Sequence, residues 1–168
     1  MKTIRRIGKG EWMLYKRVRL ASLQDAPEAF STTYESACLR SPESWAAQAD
    51  SSAEGPDRFT FFAFHDEEPV GLAALYRDAN GSRQGEIIQV WISPALRGDG
   101  LAGELLDFMF NCAKVEGFEK IRAEVMNSNG RALRFYEKHG FMIDGIPPAT
   151  RTDHSIVLAK TISPFSTR

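Results

Sequence analysis

Long hydrophobic runs, charge of one sign and cysteine are all scarce in this 168-residue chain, and each scarcity removes a class of function. No apolar run approaches the roughly 20 residues that a membrane-spanning helix needs, so no membrane partner is expected. Lys and Arg number 21 against 22 Asp and Glu, a formal net charge of −1. A nucleic-acid binder normally carries a basic excess on one face, so no nucleic-acid partner is expected either. Cys38 and Cys112 are the two cysteines, and neither belongs to a Cys-x-x-Cys pair or lies near histidine at metal-ligand spacing. His65, His139 and His154 are scattered, and no metal site is expected. A chain so poor in cysteine suits a reducing compartment, most simply the cytoplasm. The basic start Met1 to Ile7 has no apolar stretch behind it and does not read as a secretory signal.

Hydrophobic residues at 43% and charged residues at 26% are ordinary for a globular domain. The length fits one domain over residues 1–168, with no linker or repeat to divide it. Thr3 to Ile7 can form a short strand. Residues 11–24 read as a helix with Leu14, Val18 and Ala21 on its apolar face. Pro27 breaks it, and Ser41-Pro42 opens another, with Ser41 as N-cap and Pro42 at the first helical position. Segments 58–65 and 69–77 are strand-like and joined by an acidic turn; 86–92, rich in β-branched residues and Trp91, reads as a central strand. From Gly98 to Glu116 the period becomes helical. Leu101, Leu105, Phe108 and Cys112 form one row beside Ala102, Leu106, Met109 and Ala113, and Gly117 stops the helix. A strand at 120–126, a helix at about 129–138, and strands at 141–143 and 154–159 follow, the last two separated by Pro147-Pro148. Strand, helix, strand, helix, strand predicts an α/β layer with at least one parallel crossover.

The most informative segment is Ser93 to Gly103, which leaves a strand and opens a helix with glycine at 98, 100 and 103. Backbone N–H groups at a helix N-terminus, together with the helix macrodipole, favour an anion, above all a phosphate or pyrophosphate. Glycine there lets the anion approach the backbone without meeting a Cβ. Gly98, Gly100 and Gly103 satisfy the dinucleotide pattern G-x-G-x-x-G. That pattern wants its glycines at the strand end, in the first βα unit of a doubly wound domain. Here five residues intervene, and only 65 remain after Gly103, so an NAD(P)-binding reading is the weaker one. No Gly-Lys-Ser/Thr follows, which removes P-loop chemistry.

Arg97-Gly98-Asp99-Gly100-Leu101-Ala102 matches Arg/Gln-x-x-Gly-x-Gly/Ala, the pyrophosphate signature of the GNAT superfamily of N-acetyltransferases. Val90 to Pro94 resembles the strand and proline that lead into that signature. Asn129 to Phe141 resembles the family's later Asn-x-x-Ala…Tyr-Glu-Lys-x-Gly-Phe segment. The resemblance covers about residues 58–145, and Leu23 to Phe30 is similar to a subset of these enzymes. It implies a single-domain fold with a central mixed sheet whose middle strands, here 86–92 and 120–126, splay apart between flanking helices. Residues 58–145 would carry the cofactor-binding core and the helices of 8–50 the acceptor side. It implies acetyl-CoA as cosubstrate. The amides of Arg97, Gly98, Asp99, Gly100, Leu101 and Ala102 would hold the pyrophosphate, the backbone of Val90 and Ile92 the pantetheine amides, and Asn129 a further pantetheine contact. Asp99 is discordant, because a carboxylate beside a diphosphate repels it unless the side chain turns away.

Acetyl transfer to an amine sets three tasks. The attacking nitrogen must be neutral, whereas an amine of pKa about 8 to 10 is mostly protonated at pH 7. The resemblance assigns the base to Glu86, directly or through water, and partial burial would raise its pKa towards that task. Donors must meet the oxyanion, and the resemblance implies the backbone N–H near Val90 or Trp91. The departing thiolate needs a proton or a hydrogen bond, and Tyr136 matches the family's tyrosine. Its pKa of about 10 lies above a thiol at about 8.5, so full transfer is uphill by roughly 2 kcal/mol and a hydrogen bond serves as well. The alternative for Tyr136 is plain core packing. Asp25, Glu28 and Glu35 lend the acceptor side an acidic character suited to a cationic amine. Trp12, Phe30, Tyr34 and Trp45 read equally as a substrate wall or as core. The acceptor amine, small molecule or peptide, stays open, a homodimer is compatible, and a non-catalytic acyl-CoA sensor is the rival function.

Overall fold

Near-continuous buried runs in the middle strands, residues 59–63 and 70–75, call for cover on both faces, and the chain supplies helices to each. In the computed structural model, which describes residues 1–144 and 155–163, seven strands form one sheet in the order β1-β2-β3-β4-β5-β7-β6. They are β1 (Lys2–Arg6), β2 (Arg58–His65), β3 (Glu68–Arg77), β4 (Gln84–Ile92), β5 (Lys120–Met126), β6 (Met142–Ile143) and β7 (Ser155–Thr161). β4 and β5 pair in parallel across a helical crossover, and the other described neighbours are antiparallel. The expected mixed α/β architecture is therefore the one found. Residues 145–154, which include Pro147-Pro148 and the expected strand start at His154, lie outside the described residues.

Helices α1 (Trp12–Asp25), α2 (Tyr34–Cys38) and α3 (Pro42–Ala53) cover one face; α4 (Leu101–Val115) and α5 (Gly130–Lys138) are on the other. The Ser41 hydroxyl accepts from the Ser44 amide at 3.1 Å with Pro42 at the first position, as the sequence predicts. Thr33 caps α2 in the same way, a five-residue helix that periodicity is too short to reveal. Between β2 and β3 the turn is two residues, Asp66 and Glu67, both at positive φ (48° and 72°), which matches the twist of a tight hairpin.

Two corrections concern which way helices face. In α1 the buried residues are Tyr15, Val18, Arg19, Ser22 and Leu23, while Ala21 is exposed and Leu14 half-buried. The apolar stripe misleads here because two polar residues, Arg19 and Ser22, sit inside. In α4 the buried set is Leu101, Leu105, Leu106, Met109, Phe110 and Ala113. Phe110 replaces Phe108, which stays 39% exposed although its ring meets Phe61 edge-on at 5.6 Å. Each fully buried Leu or Met there contributes about 1.5–3 kcal/mol. Trp45 is completely buried against Tyr15, with Trp12, Phe30 and Tyr34 packed around that cluster. Trp45 is thus core and not a substrate wall.

Candidate active site

α4 begins only at Leu101, and the three residues before it form the turn that matters. Gly98 and Gly100 have φ of 82° and 79°, with open space where a Cβ would stand. Left-handed geometry, rather than crowding, is what demands glycine at both. This alternation of hand curls the backbone so that its N–H groups converge. Among the described residues, none of the five amides from Gly98 to Ala102 donates a backbone hydrogen bond. Five successive unspent donors at the N-terminus of a 15-residue helix make a concave site for an anion. Gly103 does something else: a Cβ there would stand 3.0 Å from His139 Cε1, so it lets α4 and α5 approach.

Arg97 departs from its expected place. Its amide closes a 3-10 turn onto the Pro94 carbonyl at 3.3 Å, so its N–H is already spent. Its guanidinium reaches back, Nε donating to the Ile92 carbonyl at 3.0 Å and Nη2 to the Asp25 carboxylate. Asp25 also accepts from Trp91 Nε1 at 2.9 Å. These donors, Trp91 first, hold the Asp25 carboxyl below its ordinary pKa. Asp25 is therefore occupied in tying the end of α1 to β4 and the glycine turn, and does not face the acceptor as a free acid. Asp99 resolves its own discord, since its carboxylate turns to Lys2 Nζ at 2.7 Å.

β4 and β5 pair only from Gln84 with Lys120 to Ile87 with Ala123; beyond that the two strands part. β4 bulges at the same place. Leu72 faces Trp91 and Ala74 faces Ile88, so Gln89 and Val90 together oppose the single residue Ala73. Gln89 takes φ of 61°, a left-handed value for a residue with a side chain. Bulge and splay together take Gln89 and Val90 out of both ladders where the two strands part. The Gln89 side chain accepts from the buried Tyr15 hydroxyl at 2.8 Å, which anchors the bulge to α1. Burial pushes that hydroxyl up to about 12, so Tyr15 stays a neutral donor. The sequence analysis missed Gln89; its signal was an amide in the otherwise apolar run Ile87-Ile88-Gln89-Val90-Trp91-Ile92.

Glu86 lies below the bulge, opposite Tyr76 of β3 and Arg122 of β5. It is half-buried. Burial first, then the Glu124 and Asp78 carboxylates, raise its pKa, and Arg122 offsets this in part. Arg122 is itself engaged by Asp78 at 2.6 Å and Gln84 at 3.3 Å. Tyr136 on α5 is 8% exposed, with the rings of Phe135 and Phe141 at 5.3 and 5.2 Å. Its hydroxyl meets no hydrogen-bond partner among the described residues, and burial pushes its pKa well above the ordinary value. Asn129 caps α5, its Oδ1 accepting from the Ala132 amide at 3.1 Å.

The fold is a mixed sheet split at its parallel pair, with a turn of unspent amides heading the crossover helix. The sequence pattern of the Acetyltransferase (GNAT) family matches residues 20–141. An uncharacterized N-acetyltransferase of Mycobacterium tuberculosis (strain ATCC 25618) is 34% identical over 90 residues, 54% of this chain and 56% of that one. A mycothiol acetyltransferase of Brachybacterium faecium is 32% identical over 85 residues, 49% of this chain and 26% of the relative. The chain thus spans about half the length, or less, of these relatives. Among solved structures, a GNAT acetyltransferase of Streptococcus pneumoniae superposes with a TM-score of 0.80 at 20% identity, covering 97% of this chain and all of the other. The PaiA N-acetyltransferase of Thermoplasma acidophilum, in complex with coenzyme A, gives 0.74 at 18% identity over 96% and 99% of the two chains. This chain belongs to the Acetyltransferase (GNAT) family.

Proposed function

We propose that this protein transfers an acetyl group from acetyl-CoA to the primary amine of a small molecule or peptide, by direct attack. The observation that carries the reading is the run of five unspent amides from Gly98 to Ala102 at the head of α4. A diphosphate fits that concavity on charge and on donor count. Val90 and Ile92 offer backbone to the pantetheine arm in the opened part of β4, although the Ile92 carbonyl already accepts from Arg97. Asn129 reaches the same cleft from the head of α5 while capping it. The two free thiols, Cys38 exposed and Cys112 half-buried, suit a reducing cytoplasm.

Acetyl-CoA supplies a thioester whose carbonyl carbon is the electrophile. Glu86, directly or through one water, removes the proton that keeps the amine from attacking; its raised pKa narrows the gap to an ammonium. The nitrogen lone pair forms the C–N bond, and the Val90 amide donates to the carbonyl oxygen as it gains charge. Collapse breaks the C–S bond, and the electron pair leaves on sulfur. With the Tyr136 pKa pushed up, donation of a hydrogen bond to that thiolate is favoured over transfer of the proton. The protonated amide nitrogen sheds its remaining proton to the departing thiolate or to solvent, since Glu86 already holds the first.

The deciding experiment is thiol release from acetyl-CoA over an amine library, for the wild type and Gly100→Glu. The variant is expected to keep its thermal midpoint within a few degrees and to lose acetyl-CoA binding, because a carboxylate on a left-handed residue would face the diphosphate. Undiminished acetyl-CoA affinity in Gly100→Glu would remove the turn from the proposal. Binding without thiol release for any amine would instead mark a CoA sensor.

A further inference from the structure

The acceptor side of the sheet holds a buried positive charge with no acid to meet it. Arg19 on α1 is 6% exposed, and among the described residues no carboxylate comes within ion-pair distance of it. Its one hydrogen bond is a long contact, Nη1 to the Ser22 hydroxyl at 3.4 Å, and its plane lies over the Phe30 ring at 4.5 Å. Its remaining N–H donors have no acceptor among the described residues. A second guanidinium, Arg40 in the α2–α3 connection, is near enough to repel the first. Arg40 bonds only the hydroxyl and carbonyl of Ser44 and lies over the Trp45 ring at 4.0 Å. Among the described residues, neither Asp25 and Glu28, next along the chain from Arg19, nor Glu35 and Glu43, which flank Arg40, pairs with either guanidinium.

Two like charges brought together in a poorly solvated place destabilise the fold unless an anion joins them. Their position tells what that anion belongs to. Arg40 lies over the Trp45 ring, which meets the Tyr15 ring edge-on at 5.6 Å; Arg19 stands one helical turn beyond Tyr15, whose hydroxyl donates to Gln89 at the bulge, and Gln48, on the same helix as Trp45, donates to the Tyr76 hydroxyl at 3.0 Å. Tyr76 is the cross-strand partner of Glu86. The base and the arginine pair therefore lie on the same face of the sheet, as a molecule carrying an amine at one end and an anion at the other requires. Arginine's planar fork suits a carboxylate in particular.

We infer that the acceptor is an amine that also bears a carboxylate, an amino acid in the broad sense, with the carboxylate held between Arg19 and Arg40 while the amine faces Glu86. This deepens, and rests on, the acetyl-transfer reading. It also replaces the expectation of an acidic, cation-seeking acceptor side.

The test compares α- and ω-amino acids and dipeptides with their carboxamides and decarboxylated amines, scored by thiol release from acetyl-CoA. Carboxylate-bearing amines are expected to exceed their matched amides in kcat/KM by about tenfold or more, the size of one charge-assisted contact. Arg19→Gln and Arg40→Gln should each raise the acceptor KM and erase that preference, with the acetyl-CoA KM unchanged; Arg19→Lys should restore part of it. Arg40→Gln alone suffices if Arg19→Gln does not fold. In parallel, titration calorimetry with the N-acetyl derivatives of the same amino acids in the presence of CoA should show binding to the wild type and none to Arg40→Gln. Equal or better turnover of amides and polyamines would overturn the inference while leaving acetyl transfer intact. Binding of the N-acetyl acids without turnover of any amine would sustain the carboxylate site and sink the acetyl-transfer reading. Neither binding nor turnover would sink both.

Discussion

Glu86 and Tyr136 are shifted in the same direction by the same cause, loss of water, yet the consequences are opposite. For Glu86 the raised pKa makes a better base. On the linkage argument it also makes the fold pay for ionisation: the folded-state value lies above the ordinary 4.5, so Glu86 favours folding below that pH and less so as pH rises through its folded value. Glu86→Gln is therefore expected to be more stable than the wild type at pH 7, with the gap closing as pH falls to about 4.5. Its kcat/KM profile should lack the acidic limb that the wild type shows above the ordinary carboxylate range; thermal melts and rate profiles over pH check both parts. For Tyr136 the raised pKa weakens the acid and leaves a donor. Tyr136→Phe is expected to lower kcat by about tenfold to a hundredfold, the worth of a hydrogen bond to a charged group, with little change in acetyl-CoA affinity. An unchanged kcat would leave Tyr136 as a packing residue between Phe135 and Phe141. Both residues were legible in the sequence through the family motif; the burial that sets their chemistry was not.

The connections between elements carry what no single element shows. α1 touches the cofactor side at one end, where Asp25 accepts from Arg97 and Trp91, and the bulge at its middle, where Tyr15 donates to Gln89. An acceptor pressing on α1 would thus bear on the glycine turn proposed to receive the cofactor. Asp25→Ala is expected to raise the KM for acetyl-CoA by about three- to tenfold, a coupling of about 0.7–1.4 kcal/mol, while kcat stays within twofold. Initial-rate measurements decide it, and an unaltered KM would reduce the contact to a surface ion pair. From the sequence, Asp25 looked like one more acid on a helix end; 66 residues separate it from Trp91 and 72 from Arg97, and no local pattern encodes such a contact. The glycine turn was legible because its cause is local: glycine takes φ near 80° without the steric cost that a Cβ imposes, and here two such positions stand two residues apart.

Two hydrophobic clusters, one on each face of the sheet, hold these parts in register. The cluster under α4 is the larger and positions the anion turn. Leu106→Ala, at 1% exposure, is expected to cost about 2–5 kcal/mol, seen as a lower urea midpoint at unchanged slope. The amino-acid order alone settled the strands, the crossover helix, its glycine head and the family, because periodicity, capping and left-handed glycine act over a few residues. Tertiary structure decided the rest. α1 turns Arg19 and Ser22 inward against its own apolar stripe, Phe110 displaces Phe108 from the core, and the Arg97 guanidinium reaches Asp25 and Ile92. Each of those outcomes depends on which distant surface the residue meets, and burial, charge partnership and strand splay exist only once the sheet has brought those surfaces together.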